Sequence, residues 1–198
     1  MLKFHNVNSI RPFGPTIFEC DCPQEVLKKL NFIVESTPNQ SPPNLLDRDF
    51  EIVFFTQKQV DDSGFTSFIR EVIPDCLETW NMENAHMQYE PSSFSDLYVD
   101  VWANRYFKAD WTPPHNHKGV VSGVTILKLP EESDDSDLHN LNFIWNNEHH
   151  RPLQEIGKTF MFPSSLLHWV RKTKTDSERR TLSFNLSVFP GGNIQRRT

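Results

Sequence analysis

His115, Asn116 and His117 stand together in this chain, a lone His168 follows in Pro163-Ser164-Ser165-Leu166-Leu167-His168, and Arg179 comes after it. Side chains alternate across a β-strand, so residues 115 and 117 of one strand project to the same side. A third imidazole from a distant strand would close a mononuclear metal site. Zinc, iron, copper and nickel all accept such a trio, so the spacing leaves the metal open.

Arg179 narrows the chemistry. It lies 11 residues beyond His168 (179 − 168), at the entry to Thr181-Leu182-Ser183-Phe184-Asn185-Leu186-Ser187-Val188, whose alternation of polar and apolar residues predicts a strand. Arg179 shares parity with Thr181, Ser183 and Asn185, while Arg180 falls with Leu182, Phe184 and Leu186. A guanidinium fork can hold a carboxylate through two parallel charge-assisted hydrogen bonds, and the Thr181 hydroxyl sits one pleat further along the same face. Such a site would grip a small dicarboxylate beside a metal.

The motifs Trp102-Ala103-Asn104, His115-Asn116-His117-Lys118-Gly119, Ser122-Gly123-Val124, Phe162-Pro163 with His168 and Val170, and Arg179-Arg180-Thr181-Leu182-Ser183-Phe184-Asn185 follow in order over the C-terminal half. Together they resemble the signature of the 2-oxoglutarate and iron(II)-dependent oxygenases of bacteria and marine phages. That resemblance implies a mainly β chain with N-terminal helices, folded as a cupin-like double-stranded β-helix, or jelly-roll. It also implies iron(II) as the metal, 2-oxoglutarate as co-substrate and dioxygen as oxidant. His115 and His168 carry over as ligands, and Arg179 with Thr181 as the clamp on the far carboxylate of 2-oxoglutarate. Hydroxylation of a small molecule or peptide is the reaction expected.

His117 departs from the wider pattern, in which an Asp or Glu completes a facial triad of two histidines and one carboxylate. Three readings follow: a third imidazole ligand, a residue that contacts substrate or supports the site while a carboxylate comes from elsewhere, or a site that has lost its metal. The first is favoured, because imidazole is a competent ligand at the right place. Exchanging carboxylate for imidazole leaves the centre one unit more positive. Two other functions compete: a cupin-like dioxygenase using three histidines and no 2-oxoglutarate, and a jelly-roll module that binds without catalysis. A bland reading also stands, in which the apolar face of the last strand is ordinary sandwich core and Arg179 points to solvent.

The remaining composition suits a soluble background. With 198 residues the chain can bury one sizeable core, and a single domain over residues 1–198 is expected, with 1–95 as helical and loop support and 96–190 as the metal-binding β core. A net charge of −6 argues against broad electrostatic attraction to nucleic acid or membranes. Arg171-Lys172-Thr173-Lys174 is a local basic patch that reads as a solvated loop. Cys20, Cys22 and Cys76 form no disulfide framework, and neither a signal-like start nor a membrane-length apolar run is present. A cytoplasmic location is expected, in a host cell if the gene is phage-borne.

Elements must position these groups. Apolar residues at 26, 27, 30 and 33 predict an amphipathic helix over 23–34, with Pro23 at its first turn. A second helix is predicted over 63–80, kinked or ended at Pro74. Strands are predicted over 97–104, 120–129, 141–145, 159–162 and 181–189, so helices come first and strands later, as in a sheet with one face covered by helices.

Supporting roles are more general. Asn104 and Tyr106 are placed to hydrogen-bond the metal-side end of 2-oxoglutarate or the substrate; alternatively they satisfy turn backbone. Trp111-Thr112-Pro113-Pro114 stiffens the approach to His115. Trp111 and Trp169 read as packing residues before substrate contacts, and Ser122-Gly123 as a place of close approach. His5, His86, His139, His149 and His150 sit among Asn, Asp and Glu and are left outside the site. The acidic run over 131–137 reads as a surface loop. Loops over 36–49, 81–95 and 107–114 would set substrate choice.

Overall fold

The structure, a computed structural model, describes residues 7–12, 14–40, 50–83, 97–131 and 137–188. Two antiparallel sheets face each other. Strands β1 (Asn8–Ile10), β2 (Ile17–Asp21), β3 (Glu51–Phe54), β4 (Leu97–Tyr106), β6 (Val121–Lys128), β9 (Lys158–Pro163) and β11 (Arg179–Val188) form the larger sheet, in the order β1-β2-β9-β6-β11-β4-β3. The smaller sheet runs β5-β10-β7-β8, built from β5 (Thr112–His115), β7 (Leu141–Trp145), β8 (Glu148–His150) and β10 (Leu167–Val170). This is the jelly-roll the sequence anticipates.

The parity of β11 decides which face is which. Leu182, Phe184 and Leu186 are buried with residues of helices α1 (Gln24–Ser36), α2 (Gln57–Ser63) and α3 (Phe65–Glu83), which cover the outer face of the larger sheet. Its inner face contributes Val124, Ile126, Phe160 and Phe162, which pack with Leu141 and Phe143 of the smaller sheet. One sheet therefore carries two unlike surfaces, an oily one toward the helices and a mixed one toward its partner sheet.

Strand predictions hold at the centre of the sheets, where β7 matches 141–145 and β4, β6, β9 and β11 lie within a few residues of their expected bounds. Two strands precede the helices and a third falls between α1 and α2, contrary to the expected order, because β1, β2 and β3 pair at the two edges of the larger sheet. They run three to five residues, too short for a clear alternation signal.

The helical break falls elsewhere than predicted. Gly64, at φ 86°, ends α2 in the left-handed conformation that a Cβ disfavours, and α3 then runs through Pro74 without interruption. A proline inside a helix costs about 3 kcal/mol, but Phe68, Ile69, Val72, Ile73, Cys76, Leu77 and Trp80 bury one stripe on both sides of it. Each such side chain contributes about 1.5–3 kcal/mol, so packing outweighs the lost hydrogen bond. Among the described residues no helix is long and apolar enough to cross a membrane.

Candidate metal centre and carboxylate pocket

β5 is an edge strand, which is where two consecutive prolines can sit without breaking a ladder. Its last residue, His115, pairs directly with His168 of β10. Their ring centroids lie 4.3 Å apart. His117 stands 4.8 Å from His115 and 5.1 Å from His168 by the same measure. The ligand-competent atoms of the three residues all fall within 4.8 Å of one another, and this group contains no carboxylate among the described residues.

His117 reaches the cluster by a route the sequence did not suggest. The strand stops at His115, so Asn116 and His117 are not strand residues, and the two-residue parity argument does not apply to them. Instead the His117 amide donates to the Ser164 carbonyl at 3.0 Å, which swings the ring back beside Trp102, 5.9 Å away.

Two of the rings are oriented by backbone. Nδ1 of His115 is 2.8 Å from the Pro113 carbonyl, and Nδ1 of His168 is 3.0 Å from that of Leu166. A carbonyl only accepts, so each Nδ1 carries the hydrogen and each Nε2 keeps its lone pair for a metal. Burial, reinforced by neighbouring His115 and opposed by its carbonyl contact, pushes the His168 imidazole down to about 3, so it is neutral, the ligating form. Three imidazoles, two of them with carbonyl-backed rings, suit a divalent transition ion, iron(II) included.

The inner face of β11 supplies the second half of the site. Arg179 is 0% exposed and Thr181 is buried beside it, so the reading with Arg179 in solvent is overturned. Arg179 pairs with Tyr106 of β4, and its guanidinium carbon lies 5.3 Å from the centre of the Tyr106 ring. Thr181 pairs with Asn104 on one side and Ile126 on the other. The Tyr106 hydroxyl is 2.9 Å from Thr112 Oγ1 of β5, and the ring packs in one cluster with Val170 of β10. Tyr106 thus joins the arginine to both strands that carry histidines of the cluster. Asn104 donates through Nδ2 to Ser183 Oγ at 2.9 Å, while its Oδ1 is buried without a hydrogen-bond partner.

Arg180 goes the other way. It donates to Glu178 through Nε and Nη2, each at 2.9 Å, and through Nη1 to Asn31 and Glu35 of α1. Burial alone would raise the Glu178 carboxyl, but hydrogen bonds from Arg180 and Arg105 hold it down at about 2.

Gln154 is the site residue that sequence reasoning missed. It is fully buried between β8 and β9, and its Oε1 accepts from Arg179 Nη2. Nothing in Arg151-Pro152-Leu153-Gln154-Glu155 signals this, since the segment has no period. His150, set aside with the other histidines, faces Phe143, which in turn pairs with His168, so one row of side chains crosses the whole smaller sheet. His139 and His149 lie outside the cluster, and Trp169, whose Nε1 is buried without a hydrogen-bond partner, points to the face opposite His168. The three cysteines are free and buried, and burial pushes the thiols of Cys20 and Cys22 up to about 12. His5, His86 and most of the loops expected over 36–49 and 81–95 lie outside the described residues, as does the centre of the acidic run.

Residues 100–185 match the family described as "Putative 2OG-Fe(II) oxygenase". No curated protein matches the sequence. Among solved structures, a prolyl-4-hydroxylase from Pseudomonas putida shares 12% identity at a TM-score of 0.59, over 88% of this chain and 93% of that one. HygX from Streptomyces hygroscopicus, solved with nickel and 2-oxoglutarate, shares 7% at 0.62, over 87% and 82%. The dioxygenase for auxin oxidation from Arabidopsis thaliana, in complex with 2-oxoglutarate, shares 9% at 0.55, over 87% and 75%. These likenesses establish a common fold.

Proposed function

From the match of residues 100–185 to the 2OG-Fe(II) oxygenase family, we propose that the chain is such an oxygenase, that His115, His117 and His168 hold its iron(II), that Arg179 and Thr181 bind the far carboxylate of 2-oxoglutarate, and that the reaction is hydroxylation of a small molecule or peptide. Bound iron supplies the redox chemistry in which 2-oxoglutarate and dioxygen become succinate and carbon dioxide while one oxygen atom enters the substrate. The observation that carries this reading is the meeting of three ligand-competent nitrogens, all within 4.8 Å of one another, with an enclosed arginine on the facing sheet.

The chain's own residues divide the labour. Carbonyls of Pro113 and Leu166 hold two imidazoles in the tautomer whose Nδ1 carries the hydrogen, which leaves the Nε2 lone pair for the metal. A neutral ligand trio leaves the ion's charge undiminished, which strengthens its attraction for a dianionic co-substrate. Arg179 orients that co-substrate by charge-assisted hydrogen bonds, worth more in a water-poor pocket than at the surface. Thr181 adds a hydroxyl on the same face. Asn104, with a buried carbonyl oxygen still to satisfy, lies beside Thr181 and is assigned to the same pocket, and the Tyr106 ring supports the guanidinium from its face.

Turnover tests the proposal. The iron(II)-loaded chain in air should convert 2-oxoglutarate to succinate slowly without added substrate, and Arg179→Ala or His168→Ala should abolish this. Succinate formed equally well by both variants would refute the assignment. A metal dioxygenase that uses no 2-oxoglutarate would form none in any version.

A further inference from the structure

Gln154 is 0% exposed although it lies in an irregular segment. Burying a primary amide costs free energy unless its groups are bonded, and Leu or Met would fill the same space without that demand. Its bonds run in one direction. A guanidinium has only donors, so Gln154 must present Oε1 to Arg179, which leaves Nε2 to donate to the Leu138 carbonyl at 3.2 Å. The same carbonyl accepts the Gln154 backbone amide at 2.8 Å. Side chain and main chain are thus tied to one point in the short helical turn Asp137–His139. An in-plane acceptor at Nη2, together with the Tyr106 ring 5.3 Å from the guanidinium carbon, fixes both the rotation and the tilt of the Arg179 plane.

We infer that Gln154 is a positioning residue for the co-substrate pocket, a neutral amide that aims the Arg179 guanidinium without offsetting its charge, as a carboxylate at that position would. This rests on the reading of Arg179 as the carboxylate clamp. Specificity for a dicarboxylate over a monocarboxylate 2-oxo acid then depends on residue 154.

The test uses the full chain loaded with nickel(II), titrated calorimetrically with 2-oxoglutarate and with 2-oxobutyrate, which keeps the 2-oxo acid end and lacks the second carboxylate. Gln154→Glu should raise the Kd for 2-oxoglutarate by about 10-fold or more and leave 2-oxobutyrate and nickel binding unchanged. Gln154→Leu should weaken 2-oxoglutarate by less, with the same selectivity, and decides the matter alone if Gln154→Glu does not fold. Wild-type discrimination between the two acids in the Gln154 variants, or equal loss for both acids, overturns the inference. Arg179→Ala separates the two levels. If it too keeps the discrimination, the clamp reading fails; if it loses discrimination while the Gln154 variants keep it, only the role of Gln154 fails.

Discussion

His115 and His168 face each other as a directly paired couple across β5 and β10, with ring centroids 4.3 Å apart. The pairing of the smaller sheet therefore sets the distance between two of the three candidate ligands. His168→Ala should lower nickel(II) or iron(II) affinity by at least about 100-fold, beyond the 10–100-fold typical when a ligand's supporting partner is lost. His149→Ala, on the exposed strand β8 at the far edge of the same sheet, should leave affinity unchanged. Calorimetric titration of both variants checks this.

Arg179 and Arg180 are adjacent in sequence and opposite in space. Arg179→Ala should abolish 2-oxoglutarate binding while sparing the fold. Arg180→Ala should keep 2-oxoglutarate binding and instead lose stability, because it removes a buried partner of Glu178. The expected cost is about 3 kcal/mol, or roughly 6–12 °C in Tm for a chain of this size. Thermal melts with and without 2-oxoglutarate distinguish the two effects.

Glu178 gives the fold an acid-sensitive joint between β11, β4 and β6. Its carboxyl, held at about 2 against an ordinary 4.5, binds fewer protons folded than unfolded between those values. The stability it contributes is present above about pH 4.5 and is lost as pH falls toward 2. Denaturant midpoints at pH 7, 4.5 and 3 should fall more steeply for the wild type than for Glu178→Gln, which lacks the titrating group. Parallel curves would count against the assignment.

The legible parts of the sequence were those carrying a period. Along β11 the alternation assigned Arg179 inward and Arg180 outward, and the structure agrees. The His115 and His117 pair was located correctly on a mistaken premise: the strand ends between them, and a hydrogen bond to Ser164 does what strand parity was expected to do. Pro74 misled because local propensity yields to a stripe of buried side chains. The short N-terminal strands and Gln154 carried no signal, the former for want of length, the latter because its partner lies 25 residues away in sequence.

The sequence predicts a close approach at Ser122-Gly123, and the structure supplies the reason. A Cβ on Gly123 would collide with the Phe184 ring on the helix-covered face of the sheet. Gly123→Ala should cost about 1–3 kcal/mol through overpacking, seen as a lower Tm with 2-oxoglutarate affinity retained. An unchanged Tm would mean that the ring moves aside freely.

The central claim is that three imidazoles and one enclosed guanidinium serve one metal-bound dicarboxylate. Anaerobic addition of 2-oxoglutarate to the iron(II)-loaded chain measures this most directly. One equivalent should develop a weak visible charge-transfer band in the wild type and in Arg180→Ala, and none in Arg179→Ala or His168→Ala. A wild-type protein that binds iron(II) yet shows no band at saturating 2-oxoglutarate would contradict the account.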